Sequence, residues 1–131
     1  MNEVVADTHS ILWYFHDLGR LSSAAKIAMA AAALTKIHVS AITFVELAYL
    51  IDKGRFHETI LDHLIGVTND PKSGVVLAPI TLEVAKTVRL IPRKIVPDMP
   101  DRIIAATALH LGLPLVTADS QIHASHVTVI W

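Results

Sequence analysis

The sequence contains no cysteine. Disulfides and thiolate metal sites are therefore excluded, and a reducing compartment is compatible with the chain. There is no long hydrophobic run either. The most sustained stretch of small apolar residues, "IAMAAAAL" at 27–34, lies between Lys26 and Lys36 and is far short of the roughly 20 residues a bilayer span needs. No signal-peptide pattern opens the chain, whose first residues are acidic and strand-like, so a soluble, cytoplasmic protein is expected. Charge of one sign is lacking as well: the net charge is −1, which argues against tight indiscriminate binding to a polyanion. Repeats, linkers and low-complexity tails are missing, and 131 residues suit one domain. What is abundant is apolar residues, 53% of the chain, more than an average soluble domain carries. Buried parallel strands raise that count; a surface covered by another subunit would raise it further.

Strand patterns alternate with helical ones. "EVVAD" (3–7) reads as a short buried strand, and "THSILWYFHD" follows with the helical spacing of Ile11, Leu12 and Phe15. A turn at 18–21 leads into an alanine-rich helix at 22–36, capped by Ser22 or Ser23. "IHVSA" is a second strand, "TFVELAYLIDKG" a helix stopped by Gly54, and "FHETILDHLIGV" another helix. After the loop "NDPKSG", "VVLAPI" is a third strand and "TLEVAKTVRLI" a helix. Three prolines make "PRKIVPDMP" (92–100) a loop. A helix then runs from about Asp101 to Leu111, closed by Gly112, and "PLVTAD" and "HVTVIW" complete the strands. The fold class is α/β: a three-layer α/β/α sandwich around a mostly parallel central sheet.

In such sheets ligands bind at the carboxyl ends of the strands. Asp7 and Asp119 each end a strand, Asp101 opens a helix, and Glu46 falls in the first turn of the helix after the second strand. Right-handed crossovers bring helix starts to the same rim as strand ends, so four acids distant in sequence can converge. Crowded carboxylates repel. A hard divalent cation removes that cost, and an all-oxygen set without cysteine selects Mg²⁺ or Mn²⁺. The chemistry this suggests is metal-assisted hydrolysis of a phosphodiester. Each acid also has a plainer reading. Asp7 suits a helix cap, Thr43 and Glu46 fit a T-x-x-E capping box, Asp101 suits a helix first turn, and Asp119 a turn. The case rests on their coincidence at one rim.

The segments "VVADTHSILWYF" (4–15), "HVSAITFVELAYLIDKGRF" (38–56) and "PDMPDRIIAATALHLGLPLVTADSQI" (97–122) together resemble PIN-domain proteins, above all the VapC-like toxin ribonucleases of toxin–antitoxin systems. The likeness covers essentially the whole chain and implies a single PIN-like domain over 1–131. It also implies a Mg²⁺- or Mn²⁺-dependent nuclease acting on RNA, with a cognate antitoxin and a homodimer. The family's acidic quartet falls on Asp7, Glu46, Asp101 and Asp119, as catalytic and metal-binding residues. Asp98 could be a further acid, although a solvated loop residue beside Pro97 is the plainer reading. Thr8, Thr117 and Ser120 resemble small polar residues that line such pockets. Arg102 resembles the Arg of a "DR" pair, free to touch substrate phosphate or to brace an acid.

Basic clusters that could hold RNA are few: Lys53 with Arg55, and Arg89 with Arg93 and Lys94. His9 lies close to Asp7, where packing or capping is its plainer role. Two other readings remain open. One is a receiver-like module with a Mg²⁺-binding acidic pocket that accepts a phosphoryl group; the third strand, "VVLAPI", ends without the acid this requires. The other is a PIN scaffold without activity, used only for binding, which the intact quartet opposes.

Overall fold

Alternation along the first strand decides the layering. In β1 (Val4–Ala6) all three residues are buried, but Val4 and Ala6 join one apolar cluster and Val5 the other. Successive strand residues point to opposite faces, so both faces of the sheet must be covered. The computed structural model describes residues 2–131, the side chain of Ala124 apart. In it, helices α1 (Thr8–His16), α2 (Ser23–Ala32) and α4 (Glu58–Asn69) bury Ile11, Leu12, Ala25, Met29 and Leu64 against one face. Helices α5 (Leu82–Thr87) and α6 (Met99–Leu111) bury Val84, Ile104, Ala105, Ala106 and Ala108 against the other. Between α2 and α4 come β2 (Ile37–Ser40) and α3 (Ala41–Asp52). Strands β3 (Val75–Ala78), β4 (Leu115–Val116) and β5 (Val129–Ile130) complete the sheet.

The sheet order is β3-β2-β1-β4-β5 and every pairing is parallel. The expected three-layer sandwich is therefore present, with an all-parallel sheet. Chain order runs outward from β1 in one direction and then resumes at β4 in the other, so the topological switch point lies between β1 and β4. In open α/β sheets that crevice is where ligands bind. A receiver-like fold of the flavodoxin type has the order 2-1-3-4-5, which this sheet does not share.

Two glycines are fixed by geometry. Gly112, at φ +67, ends α6, and the Leu113 N–H returns to the Ala108 carbonyl at 3.0 Å. Gly74, at φ +76, leads into β3, and a Cβ there would stand 2.2 Å from the Ala33 carbonyl oxygen. No helix among the described residues is long and apolar enough to cross a membrane.

Three boundaries differ from the sequence reading. The segment at 92–100 is not loop throughout: α6 starts at Met99, with Asp98 as its cap and Pro100 in its first turn, where a missing N–H costs nothing. Helix α3 starts at Ala41, capped by Ser40, whose side chain accepts the Ile42 N–H at 3.2 Å. And a 3-10 helix, Ser120–Ser125, occupies the connection after β4.

Candidate active site

The switch-point crevice opens on Asp7. Its backbone N–H donates to the Val116 carbonyl at 3.2 Å, so the residue is held beside the end of β4. Both carboxylate oxygens are engaged: Oδ1 accepts the Ser10 N–H at 2.9 Å, and Oδ2 accepts the Thr117 hydroxyl at 2.5 Å. Asp7 is thus a helix cap and a rim acid at once. The fully buried Ser10 hydroxyl donates to the Val116 carbonyl at 3.0 Å and ties the first turn of α1 to β4. Thr117, also fully buried, accepts the Asp119 N–H at 3.1 Å. Asp119 in turn caps the following 3-10 helix through the Gln121 N–H at 2.9 Å.

Glu46 reaches the same place from α3. The Thr8 hydroxyl donates to Glu46 Oε1 at 2.6 Å and lies 3.0 Å from the Thr43 hydroxyl. A hydroxyl has one proton; since that of Thr8 goes to Glu46, the proton between the two threonines comes from Thr43. The T-x-x-E capping box is consequently not formed. Ser40 takes the cap, which moves Glu46 to the second turn and leaves Thr43 buried, facing Thr8.

Asp101 sits in the first turn of α6, its N–H donating to Asp98 Oδ2 at 3.1 Å. Burial, and then the like charges of Asp98, Glu46, Asp7 and Asp119, push its carboxyl up to about 7. All of the acids therefore share one electrostatic neighbourhood. Among the described residues none of them forms a salt bridge, and no three are drawn closely enough together to enclose an ion. The donor set nevertheless suits a hard divalent cation: carboxylate oxygens from four segments, no sulfur, and mutual repulsion that positive charge would relieve.

The model of the PIN domain matches residues 4–126. The chain belongs to the PIN-domain family. This PIN domain is 33% identical over 133 residues to Ribonuclease VapC22 of Mycobacterium tuberculosis (strain ATCC 25618 / H37Rv), covering 98% of this chain and 99% of that protein. Among solved structures it resembles VapBC2 from Rickettsia felis bound to a DNA fragment from their promoter, with a TM-score of 0.71, 13% identity, and 97% and 96% of the two chains covered. A toxin–antitoxin complex from Klebsiella pneumoniae matches with a TM-score of 0.62, 22% identity, and 98% and 96% coverage. The family and the α/β/α fold are those the sequence resemblance implied.

Within this PIN domain the remaining candidates separate. Thr8 and Thr117 orient acids. Asp98, expected as a loop residue, caps α6. Ser120 is exposed at the start of the 3-10 helix and takes no part in the hydrogen bonds of the acids. Among the described residues Arg102 forms no salt bridge with an acid. Its Nε and Nη2 donate to the Ile91 carbonyl at 3.2 and 3.1 Å, and Nη2 also donates to the Val88 carbonyl at 3.2 Å. It closes the 3-10 turn Val88–Leu90 that follows α5. Ser10 and the hydroxyl role of Thr43 escaped the sequence reading. A polar residue at a position expected to be buried was the available signal.

Proposed function

We propose that this protein is a metal-dependent endoribonuclease, the toxin of a type II toxin–antitoxin pair, and that it cleaves RNA phosphodiesters with an activated water. The observation that carries the reading is a rim onto which four segments bring carboxylates, none of which forms a salt bridge among the described residues. Such an arrangement costs stability unless a cation is to be held there. The relative named Ribonuclease VapC22 and the toxin–antitoxin complexes of similar fold support the same conclusion.

Asp7, Glu46, Asp101 and Asp119 would hold Mg²⁺ or Mn²⁺, with Asp98 close enough to add charge. Bound there, a divalent ion lowers the pKa of a water and offsets charge on the phosphate. The chain's own part is positioning. Thr117 and the Ser10 N–H fix both oxygens of Asp7, and Thr8 fixes Glu46. The N-terminus of α6 adds a favourable dipole for the negative charge that builds on the phosphate. A cognate antitoxin and a second copy of the chain would cover part of the exposed apolar surface, which includes Ile27, Leu34 and Leu82. A single domain spanning 1–131 carries the activity.

The test is cleavage of single-stranded RNA with Mn²⁺ by purified protein and by Asp7→Asn. The parent should cut, and the variant should lose more than the roughly hundredfold at the upper end for outer-shell partners of a metal, with its circular dichroism unchanged. A parent that cuts no RNA, or a variant that cuts as well as the parent, overturns the reading.

A further inference from the structure

The acids explain hydrolysis but not how a chain of net charge −1 holds a polyanion. Its cations are unevenly spread. Residues 84–97 carry Lys86, Arg89, Arg93 and Lys94 and no Asp or Glu. Lys86 stands 3.8 Å from Glu83. Arg89, Arg93 and Lys94 are exposed, and among the described residues none of them forms a salt bridge. The fold decides where this charge lies. Thr81 and Val84, at the start of α5, share a cavity with His110 and Leu111 at the end of α6. Beyond the other end of α5, the Val88 and Ile91 carbonyls are held by Arg102, near the start of α6. The segment from α5 to Ile91 thus runs antiparallel to α6 and arrives at the end that carries Asp98 and Asp101. Ile91 and Val96, buried in one cluster with Ile104 of α6, pin the chain on both sides of Arg93 and Lys94. Between them the Ile95 and Val96 N–H groups donate to the Pro92 carbonyl at 3.0 and 2.9 Å, a tight turn on which the two cations are exposed. Only four residues lead from Lys94 to Asp98, a reach of at most about 14 Å.

We propose that Arg89, Arg93 and Lys94 form a phosphate-holding strip, which binds the backbone of the RNA strand where it passes the start of α6 beside the acid rim. The inference rests on the nuclease reading and names the surface that carries the substrate beyond the cleaved bond. Three observations favour it. The strip is tied through Arg102 to the residue next to Asp101. Its charge is uncompensated within the chain, so a phosphate has no internal carboxylate to displace. And the rim itself repels an anion until a cation is bound, so positive charge for the strand has to lie just outside it. The other basic cluster, Lys53 with Arg55, is placed differently. It follows α3, whose 12 residues span about 18 Å, so it stands at the far end of that helix from the Ser40 cap. Its Lys53 ammonium also lies 4.9 Å over the Tyr49 ring. Phosphate contacts set the register of a strand without reading its bases. Arg89, Arg93 and Lys94 are then substrate-positioning residues that supply affinity rather than choice of sequence.

The test is a triple variant, Arg89→Gln with Arg93→Gln and Lys94→Gln, all at exposed positions that leave the core intact. On single-stranded RNA with Mn²⁺ it should raise KM about tenfold, with kcat nearly unchanged. The plot of log KM against log salt should also become shallower by about 2, the effect of three lost phosphate contacts on a single strand. Arg89→Lys with Arg93→Lys keeps the charge and should keep most of the affinity. Lys53→Gln with Arg55→Gln should leave KM near that of the parent. If KM and its salt dependence are unmoved in the triple variant while the parent cleaves RNA, or if the Lys53 and Arg55 changes cost as much, the strip does not hold the strand. The nuclease reading then stands without it, and the exposed Leu90 and Met99 mark this face for a protein partner instead. If the parent cleaves no RNA, the nuclease reading fails, and the fluorescence anisotropy of a labelled single-stranded RNA decides the strip by itself. Binding that the triple variant loses supports the strip; equal binding, or none by the parent, overturns it.

Discussion

At the amino end of the sheet, Glu3 meets His38 at 2.7 Å. That hydrogen bond, with help from the charges of His38 and Lys36, holds the Glu3 carboxyl below the usual carboxylate range. At the carboxyl end, Asp101 stands among Asp98, Glu46, Asp7 and Asp119 and is pushed up to about 7. The two ends are built from the same strands and differ in what each acid faces. One carboxylate has found a hydrogen-bond partner in the His38 ring. Asp7, Glu46, Asp98 and Asp119 are held by threonines and backbone N–H groups, which orient an anion without neutralising it. The difference teaches where the fold has offset a buried or crowded charge by itself and where it leaves the repulsion between acids unrelieved.

Three changes sharpen that contrast. The largest effect is expected from Thr117→Val. It removes the donor to Asp7 Oδ2 and the acceptor for the Asp119 N–H in one step, and metal-dependent RNA cleavage should fall by about 10- to 100-fold. Cleavage at full rate would mean that the hydroxyl does not hold the acids. Next is Asp101→Asn in metal-free protein. Because the folded pKa lies above the ordinary value, the folded state keeps a proton that the unfolded state has lost, and stability falls as pH rises from about 4 towards 7. The variant should therefore melt higher than the parent at pH 8, with the gain shrinking towards pH 4. Added Mn²⁺ should narrow or reverse the gain, because it stabilises the parent more. A lower melting temperature for the variant at pH 8 would contradict the crowding of charge. The smallest effect belongs to Glu3→Gln. Here the folded pKa is depressed, so the contribution is present above the unfolded value and is lost as pH falls. The variant should be slightly less stable at pH 7 and equal to the parent near pH 3. Thermal melts across pH would show the two acids running in opposite directions.

The architecture was legible because periodicity changes sharply along the chain: "EVVAD" and "IHVSA" read as strands, and the helices between them carry clear apolar faces. Asp7 was legible for the same reason, since it directly follows β1, whereas Asp119, expected at a strand end, lies three residues past β4 as the cap of the 3-10 helix. Glu46 was assigned to the right helix but the wrong turn. Local pattern favoured Thr43 as the cap, whereas the chain turns directly out of β2 at Ser40, and the Thr43 hydroxyl goes to Thr8, 35 residues away in sequence. The partners of Arg102, the Val88 and Ile91 carbonyls, were not legible because they lie on a turn whose closeness to α6 is purely tertiary. Asp98 was lost in a proline-rich stretch that looked too irregular to begin a helix, although Pro100 in a first turn is compatible with one.

The cap at Ser40 sets how the chain tolerates changes in length. Glu46 rides on a rigid spiral that starts at Ala41, and each residue added or removed between them turns the carboxylate by about 100° around the helix axis. A single-codon deletion within 41–45 would swing it away from Thr8 while leaving most of the apolar seam able to re-register. Substitution there is a matter of degree, and insertion is not. Among related sequences, the spacing from the serine to the glutamate should vary far less than that of the stretch at 92–97, where the chain has room to lengthen before Asp98 begins the next helix.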